Sequence, residues 1–445
     1  MCHVCIRKQR TDGNTFEISS GAKSSRCKST VLSRKLPAAS SSKKWQGELD
    51  GRLLRAPPYN RPDLCFCCGG SFDHKMLALL SLTSSFLQTK SGHETTLGAR
   101  AGMRQRAMTP PLMFAPPSEW ANVATGPATS GHTAASAQDG TVYLFGGRPA
   151  DQSAGQVNDE LWCFSPEQRS WTKLSASGEA PCQRMYSSAF VVGGTMVLAG
   201  GWDPGAKGSG GDFLDDAWAL DLTSLEWRRL GDLPGGPVSR HVAARIDDRR
   251  GILHSFRSSD SVLLFEDRKF VEQATTGEAP DSLGLHAGAV VGSQFVVLGG
   301  GDKTGAFNPH AYALDTRTWV WTRLECVESG ADRPPPLGGL CACAAGENSL
   351  IAFGGAEMRG AYNGGGGLFA RGETWQLTLL DDGLSCMWTR LLADEHSSSD
   401  GEPTGAPLPR VAASLNRLPT GEMLLHGGWI PSDGSTIGAS ELLAL

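Results

Sequence analysis

Short apolar runs divided by turn residues dominate the chain after residue 118, and they return in a fixed order. The clearest set ends in a glycine pair: TVYLFGG to Gly147, TMVLAGG to Gly201, QFVVLGG to Gly300, SLIAFGG to Gly355 and EMLLHGG to Gly428. The second glycines stand 54, 99, 55 and 73 residues apart. The gap of 99 is two units long, so a unit with its glycines lost is expected near residues 252–256, in the run ILHSF. Each of these runs has three companions. A small-residue run precedes it: HTAASA, SSAFVV, HVAARI, HAGAVV, LCACAA and VAASL. A third run follows it: ELWCF, DAWALD, SVLLFE, AYALD, TWQLT and SELLAL. An aromatic run then closes the unit, with Trp171, Trp227, Trp321 and Trp388 in four units and Phe270 in the hidden one. Four short β-type runs per unit, separated by turn-forming residues, describe one four-stranded antiparallel blade.

A single blade cannot bury both of its faces, so several must stack around an axis. Small residues suit the innermost strand, where blades converge. The glycine pair lets the second strand end close to neighbouring backbone. The aromatic residue of the outer strand fills the wedge between blades. The sixth unit stops 17 residues after Gly428 and has no aromatic run. The missing strand stands at the other end, in Glu119-Trp120-Ala121-Asn122-Val123, and Trp120 precedes Trp171 by one period of 51 residues. The N-terminal strand is therefore expected to complete the last blade, which leaves no blade unpaired. The implied blades are 128–174, 184–230, 238–273, 284–324, 337–392, and 408–445 with 118–124.

A glycine doublet followed by Trp, recurring about every 50 residues, resembles the Kelch repeat. The resemblance covers residues 118–445 and implies an all-β fold: a six-bladed Kelch β-propeller, preceded over residues 1–112 by a disordered basic extension. Kelch-like folds include a copper-radical oxidase with Tyr and His ligands, and plant specifier proteins that hold ferrous iron through a Glu-x3-Asp-x3-His run. Tyr143, Tyr186, Tyr312 and Tyr362 fall in no such ligand motif, and the iron-binding run does not occur. His132 and His286 begin equivalent inner strands and His241 begins another near that position, a repetition that points to structure. The glycine run at 364–367 lacks the Lys-Ser/Thr of a phosphate loop. The expectation is a non-enzyme with no catalytic residue, no metal ligand and no cofactor. The alternative is a small-molecule or metal-dependent enzyme that uses the central channel.

In peptide-binding Kelch propellers, Arg residues just ahead of the inner strand line the channel mouth. The resemblance puts Arg184, Arg240 and Arg410 in that register, with Thr129, Leu283 and Pro336 in the other blades. An Arg fork suits carboxylates or phosphates, although each Arg can equally brace a nearby turn. Trp202 and Trp429 follow their doublets directly, outside the wedge position, and complete the candidate binding set. Loops after the doublets are expected on that same face, also carrying Arg148, Asp203, Asp302 and Arg359. The longest, Ala356 to Glu373, is expected to be mobile. The expected partner is a protein or peptide, acidic or phosphorylated in character.

Composition adds an asymmetry. The net charge of −5 hides a basic segment: residues 1–112 carry 18 Lys/Arg against 7 Asp/Glu, and the rest carries 23 against 39. This segment reads as a targeting sequence, an unfolded arm or a misassigned start, with Met103, Met108 and Met113 as later starts. The chain is placed in the cytoplasm, with organelle targeting as the alternative. Met76 to Leu87 is too short and too rich in Ser and Thr for a membrane span. Cys2 and Cys5 form half of a zinc site, but the cluster Cys65, Cys67 and Cys68 does not supply a standard second half. The six later cysteines read as reduced core thiols. The basic arm lacks the interleaved aromatics of a nucleic-acid module, so neither nucleic acid nor membrane is expected as a partner. Oligomeric state is left open.

Overall fold

A computed structural model describes residues 4–6, 18–20 and, with short gaps, 120–445; the gaps are 151–155, 207–210, 257–259, 282, 303, 328–332, 364–365 and 394–405. Val4–Ile6 pairs antiparallel with Ile18–Ser20. The expectations for the rest of the N-terminal segment, including its cysteine clusters and starts, lie outside the described residues.

From Trp120 onward every described regular element is a strand, and the strands form six antiparallel four-stranded blades. The first blade runs Thr133–Ser136, Val142–Phe145, Leu161–Ser165, Ser170–Leu174 from axis to rim. The others follow the same order, beginning at inner strands Ser188–Val192, Val242–Arg245, Gly284–Val291, Cys341–Ala344 and Ser414–Arg417. Blade 3, inferred from spacing alone, is present, with Gly251–His254 as its second strand. Blade 6 takes its outer strand from Trp120–Thr125, which pairs antiparallel with Ala439–Leu443 and sets Trp120 opposite Leu443. The ring is closed as the period of the aromatic runs predicts.

The core is divided into six wedges, one between each pair of neighbouring blades. In each, the aromatic residue of the later blade's outer strand packs against the earlier blade. Trp227 meets Phe145 edge-on at 5.5 Å between blades 1 and 2. Trp120 meets Phe353 at 5.6 Å between blades 5 and 6, where its indole N–H also donates to Thr374 Oγ1 at 3.0 Å. Phe270, Trp321, Trp388 and Trp171 occupy the other four wedges. One flat aromatic side chain buries enough area to fill a gap that widens toward the rim.

The glycine doublets do more than allow close approach. The second glycine of each donates its N–H to the next blade: Gly147 to Arg184 O, Gly201 to Val238 O, Gly300 to Leu337 O, Gly355 to Arg410 O and Gly428 to Thr129 O, all at 2.8–2.9 Å. At the first glycine, φ is positive and a Cβ would stand 2.5–2.6 Å from that same carbonyl, which no other residue tolerates.

Two further features depart from the sequence expectation. Ser177–Gly178, Thr276–Gly277 and Glu325–Cys326 add a fifth strand, parallel to the outer strands of blades 2, 4 and 5. The segment after Gly355, expected as a mobile loop, is an antiparallel hairpin of Ala356–Asn363 and Gly366–Ala370. Blade 2 carries a similar extension, because Thr195–Asp203 and Asp212–Asp221 remain paired out to Asp203 and Asp212.

Candidate functional site

Where the chain passes from loop to inner strand, each blade sends one residue into a ring around the axis. The six are Gly131, Tyr186, Arg240, Leu285, Gly339 and Ala412. They are joined head to tail by backbone hydrogen bonds: Tyr186 N–H to Gly131 O (2.7 Å), Arg240 to Tyr186 (3.0 Å), Leu285 to Arg240 (2.9 Å), Gly339 to Leu285 (2.8 Å), Ala412 to Gly339 (2.8 Å) and Gly131 to Ala412 (2.9 Å). All six residues have left-handed φ, between 54° and 72°. For the four that are not glycine this conformation costs about 1–2 kcal/mol each, and the closed hydrogen-bonded circle holds them there. The ring and the residues that follow it, among them His132, Ser187, His241 and His286, line a cavity of about 120 Å³ at the channel mouth.

The ring corrects the register assigned to the arginines. Arg240 is a ring residue. Arg184 and Arg410 lie two positions earlier in their blades, level with Val238, Leu337 and Thr129. Neither lines the mouth: their exposures are 0% and 1%. Arg184 donates to Asp216 through two nitrogens (2.6 and 2.8 Å), and to Gly200 O, Cys182 O and Cys182 Sγ. Those bonds use all five N–H donors of a guanidinium. Arg410 repeats the arrangement with Glu441 (3.2 and 2.7 Å), Gly427 O and Leu408 O. Both therefore brace the carbonyl of a doublet's first glycine against a carboxylate on the third strand. Burial by itself would raise the Asp216 carboxyl, but the bonds and charge of Arg184 outweigh it and hold the group below its ordinary range.

A buried pair of this kind is costly to break. Arg184→Ala leaves Asp216 uncompensated and is expected to lower stability by about 3–5 kcal/mol, whereas the double change Arg184→Met with Asp216→Leu falls closer to wild type. Urea midpoints of the single and double variants check this; an Arg184→Ala midpoint equal to wild type would show the pair to be idle.

Arg240 is built differently. It is half-buried, and its guanidinium lies over the rings of Tyr186 at 4.9 Å and Trp202 at 5.2 Å. It makes no ion pair among the described residues. Trp202 is 5% exposed, because its strand bridges back to Met185 and its ring stacks on Phe213 at 6.3 Å. Trp202 is thus the buried floor under Arg240, and Phe213 is the exposed aromatic. Trp429 is half-buried on blade 6, bridged to Val411 and Thr436. Across from blade 2, the blade 5 hairpin carries exposed Phe369 under Arg359 (3.8 Å) and near Arg371 (5.9 Å), both paired to Glu357.

The mouth histidines are buried and neutral near pH 7. Burial lowers His132 to about 4 and His241 to about 3. His286 shares a hydrogen bond with His254 at 3.0 Å, and His132 with Ser414 Oγ at 2.9 Å. Among the described residues no three His, Cys, Asp or Glu side chains converge in a geometry able to hold a metal ion. Alignment on these histidines was the signal that separates Arg240 from Arg184, since His132, His241 and His286 each follow a ring residue directly.

Comparison with known proteins follows the same lines. Residues 118–267 match the family described as the KLHDC2/KLHL20/DRC7 Kelch-repeats domain. Acyl-CoA-binding domain-containing protein 4 of Arabidopsis thaliana is 30% identical over 241 residues, 51% of this chain and 34% of that protein. Kelch domain-containing protein 3 of Rattus norvegicus is 33% identical over 239 residues, 49% of this chain and 59% of that one. The chain thus spans less than two thirds of the length of these relatives. The solved structure titled "Structure of YjhT" superposes with a TM-score of 0.52 at 17% identity, over 72% of this chain and 95% of that one, a likeness of fold.

Proposed function

For a chain that carries a Kelch-repeat β-propeller, we propose a non-enzymatic role as an interaction scaffold that binds a protein or peptide through the face bearing the channel mouth. One observation carries this reading: Arg240, stacked on Tyr186 and Trp202 at the mouth, has its charge uncommitted, whereas Arg184 and Arg410 are spent internally. A cation held flat on an aromatic floor is pre-organised for a carboxylate or phosphate. Arg and aromatic residues are also the side chains that dominate binding energy at protein interfaces. Exposed Phe213 and Phe369 stand on the blade 2 and blade 5 extensions and offer apolar contact, Phe213 on the Trp202 ring that underlies Arg240. An acidic partner segment fits this arrangement.

The enzyme alternative, with the channel as active site, has less support, since the mouth cavity is small and its histidines are engaged in packing. The test is capture and titration. The immobilised full chain is presented with an array of acidic, phosphorylated and neutral peptides. Bound sequences are then titrated against Arg240→Ala and Phe213→Ser. Loss of about 2 kcal/mol, some thirtyfold in affinity, is expected for Arg240→Ala. Binding that is unchanged in both variants, or an array with no bound peptide, would remove the reading.

A further inference from the structure

Of the six thiols among the described residues, two stand as partners. Glu325–Cys326, the short strand that leads from blade 4 into blade 5, lies parallel to the outer strand Ser385–Leu392, and the register sets Cys326 directly opposite Cys386. Adjacent strands run about 4.8 Å apart, inside the window of roughly 4.4–6.8 Å between Cα atoms that a disulfide takes. The two sulfurs already face each other at 3.6 Å as hydrogen-bonded thiols. Cys326 is half-buried and so open to a small oxidant on one side, whereas Cys386 is sealed beneath it.

We infer that Cys326 and Cys386 form a reversible redox pair, oxidised by hydroperoxides, that ties the blade 4–5 connection to the outer strand of blade 5. The chemistry of the two sulfurs differs in the direction this requires. The hydrogen bond from Cys386, with the Arg333 charge and the Trp388 indole, lowers Cys326 below an ordinary thiol against the pull of burial. Its thiolate forms more readily than that of Cys386 and is the attacking group. Cys386 is raised by the same partner and by burial, and so keeps its proton. Cys341 and Cys343 are pushed up to about 12 by burial and are inert by comparison.

In the first step the Cys326 thiolate attacks one peroxide oxygen, the O–O bond breaks, and the leaving oxygen departs as water or an alcohol after protonation. Cys326 is then a sulfenic acid. The Cys386 sulfur attacks it, the S–O bond breaks, and the Cys386 proton leaves with the hydroxide as a second water. Two thiols lose two electrons and two protons; one peroxide takes them up.

The test uses the full chain with hydrogen peroxide as oxidant, followed by blocking of free thiols and non-reducing peptide mapping. A Cys326–Cys386 cross-linked peptide is expected, lost on reduction, with a melting temperature about 5 °C above the reduced chain because the bond closes a long loop. In Cys386→Ala the disulfide cannot form, and a sulfenic-acid reagent should label Cys326. Alkylation at neutral pH should be faster at Cys326 than at exposed Cys182, since the Cys326 thiol is lowered and the Cys182 thiol raised. A map with no Cys326–Cys386 peptide overturns the inference. So does sulfenic-acid labelling in Cys386→Ala that falls on Cys182, or alkylation that is no faster at Cys326 than at Cys182.

Discussion

A chain beginning at Ser130 should not fold cooperatively, whereas one beginning at residue 112 should unfold in a single sharp transition. The shorter chain lacks the strand Trp120–Thr125, which supplies the whole outer edge of blade 6. Three losses add together. Trp120, 3% exposed, leaves its wedge among Ile351, Phe353, Leu415, Met423, Leu425 and Leu443, a truncation worth about 3–5 kcal/mol by itself. The ladder to Ala439–Leu443 is lost, and that strand becomes an open edge. The indole bond to Thr374, which crosses to blade 5, goes as well. Together these approach the entire stability of an ordinary domain, about 5–15 kcal/mol. Thermal unfolding followed by far-ultraviolet circular dichroism distinguishes the outcomes. Trp120→Ala in the longer chain should fall between the two. Equal melting of both chains would show that the ring does not depend on its closing strand.

Closure was readable because it rests on counting. A unit short of one aromatic strand at one end, and a spare aromatic strand one period before the first unit, leave a single arrangement. The wedge role of Trp171, Trp227 and Trp321 was readable for a similar reason: a large residue at a fixed place in every repeat answers to a fixed gap. Blade 3 was legible by spacing even though His254-Ser255-Phe256 stands where the other blades carry a glycine pair after Phe145, Ala199, Leu298, Phe353 or His426. The mouth was harder. Its six residues share a backbone conformation, not a side-chain type, so Gly131, Tyr186, Leu285 and Ala412 look unrelated in sequence. Arg184 and Arg410 were misplaced because burial of a guanidinium depends on a carboxylate some 31 or 32 residues later, at Asp216 and Glu441. Nothing local marks that partnership. The parallel fifth strands left a trace, since SGEAP and TGEAP recur at Ser177 and Thr276, but a run of small and polar residues does not announce a strand.

Acid should unfold the propeller between about pH 6 and pH 4, and the cause lies in the blade interfaces. At four interfaces the residue just before one blade's glycine pair, or His254 at the equivalent place in blade 3, packs near the second mouth residue of the next blade. Blades 4 and 5 bring together Leu298 and Leu340, and blades 5 and 6 Phe353 and Ala413. Two interfaces use histidine on both sides: His254 with His286, and His426 with His132. His254 lies against Trp321 at 5.4 Å, and among the described residues its ring bonds to His286. His426 is held by Ser440 Oγ at 2.8 Å and Pro127 O at 3.1 Å, with the Trp171 ring tilted against it at 4.4 Å. Burial is the first cause of depression in every case; neighbouring His241 adds to it at His286, and Arg410 at His426. The folded chain therefore resists protonation that the unfolded chain accepts below 6.5. Stability is fully present above that value and falls with pH until the folded groups titrate, at about 4 for His132 and His254 and about 3 for His241. Each tenfold drop in proton affinity on folding is worth about 1.4 kcal/mol, so each of these histidines removes roughly 3 kcal/mol by pH 4. Several acting together exceed what a domain of this size can lose. The variant that isolates the effect imports the blade 4–5 solution, His254→Leu with His286→Leu. Denaturant titrations at pH 7, 6, 5 and 4.5 should show a shallower loss of stability in the variant than in wild type. A wild-type stability that is flat from pH 7 to 5, or a variant with an unchanged slope, would mean that the interfaces take up protons without opening.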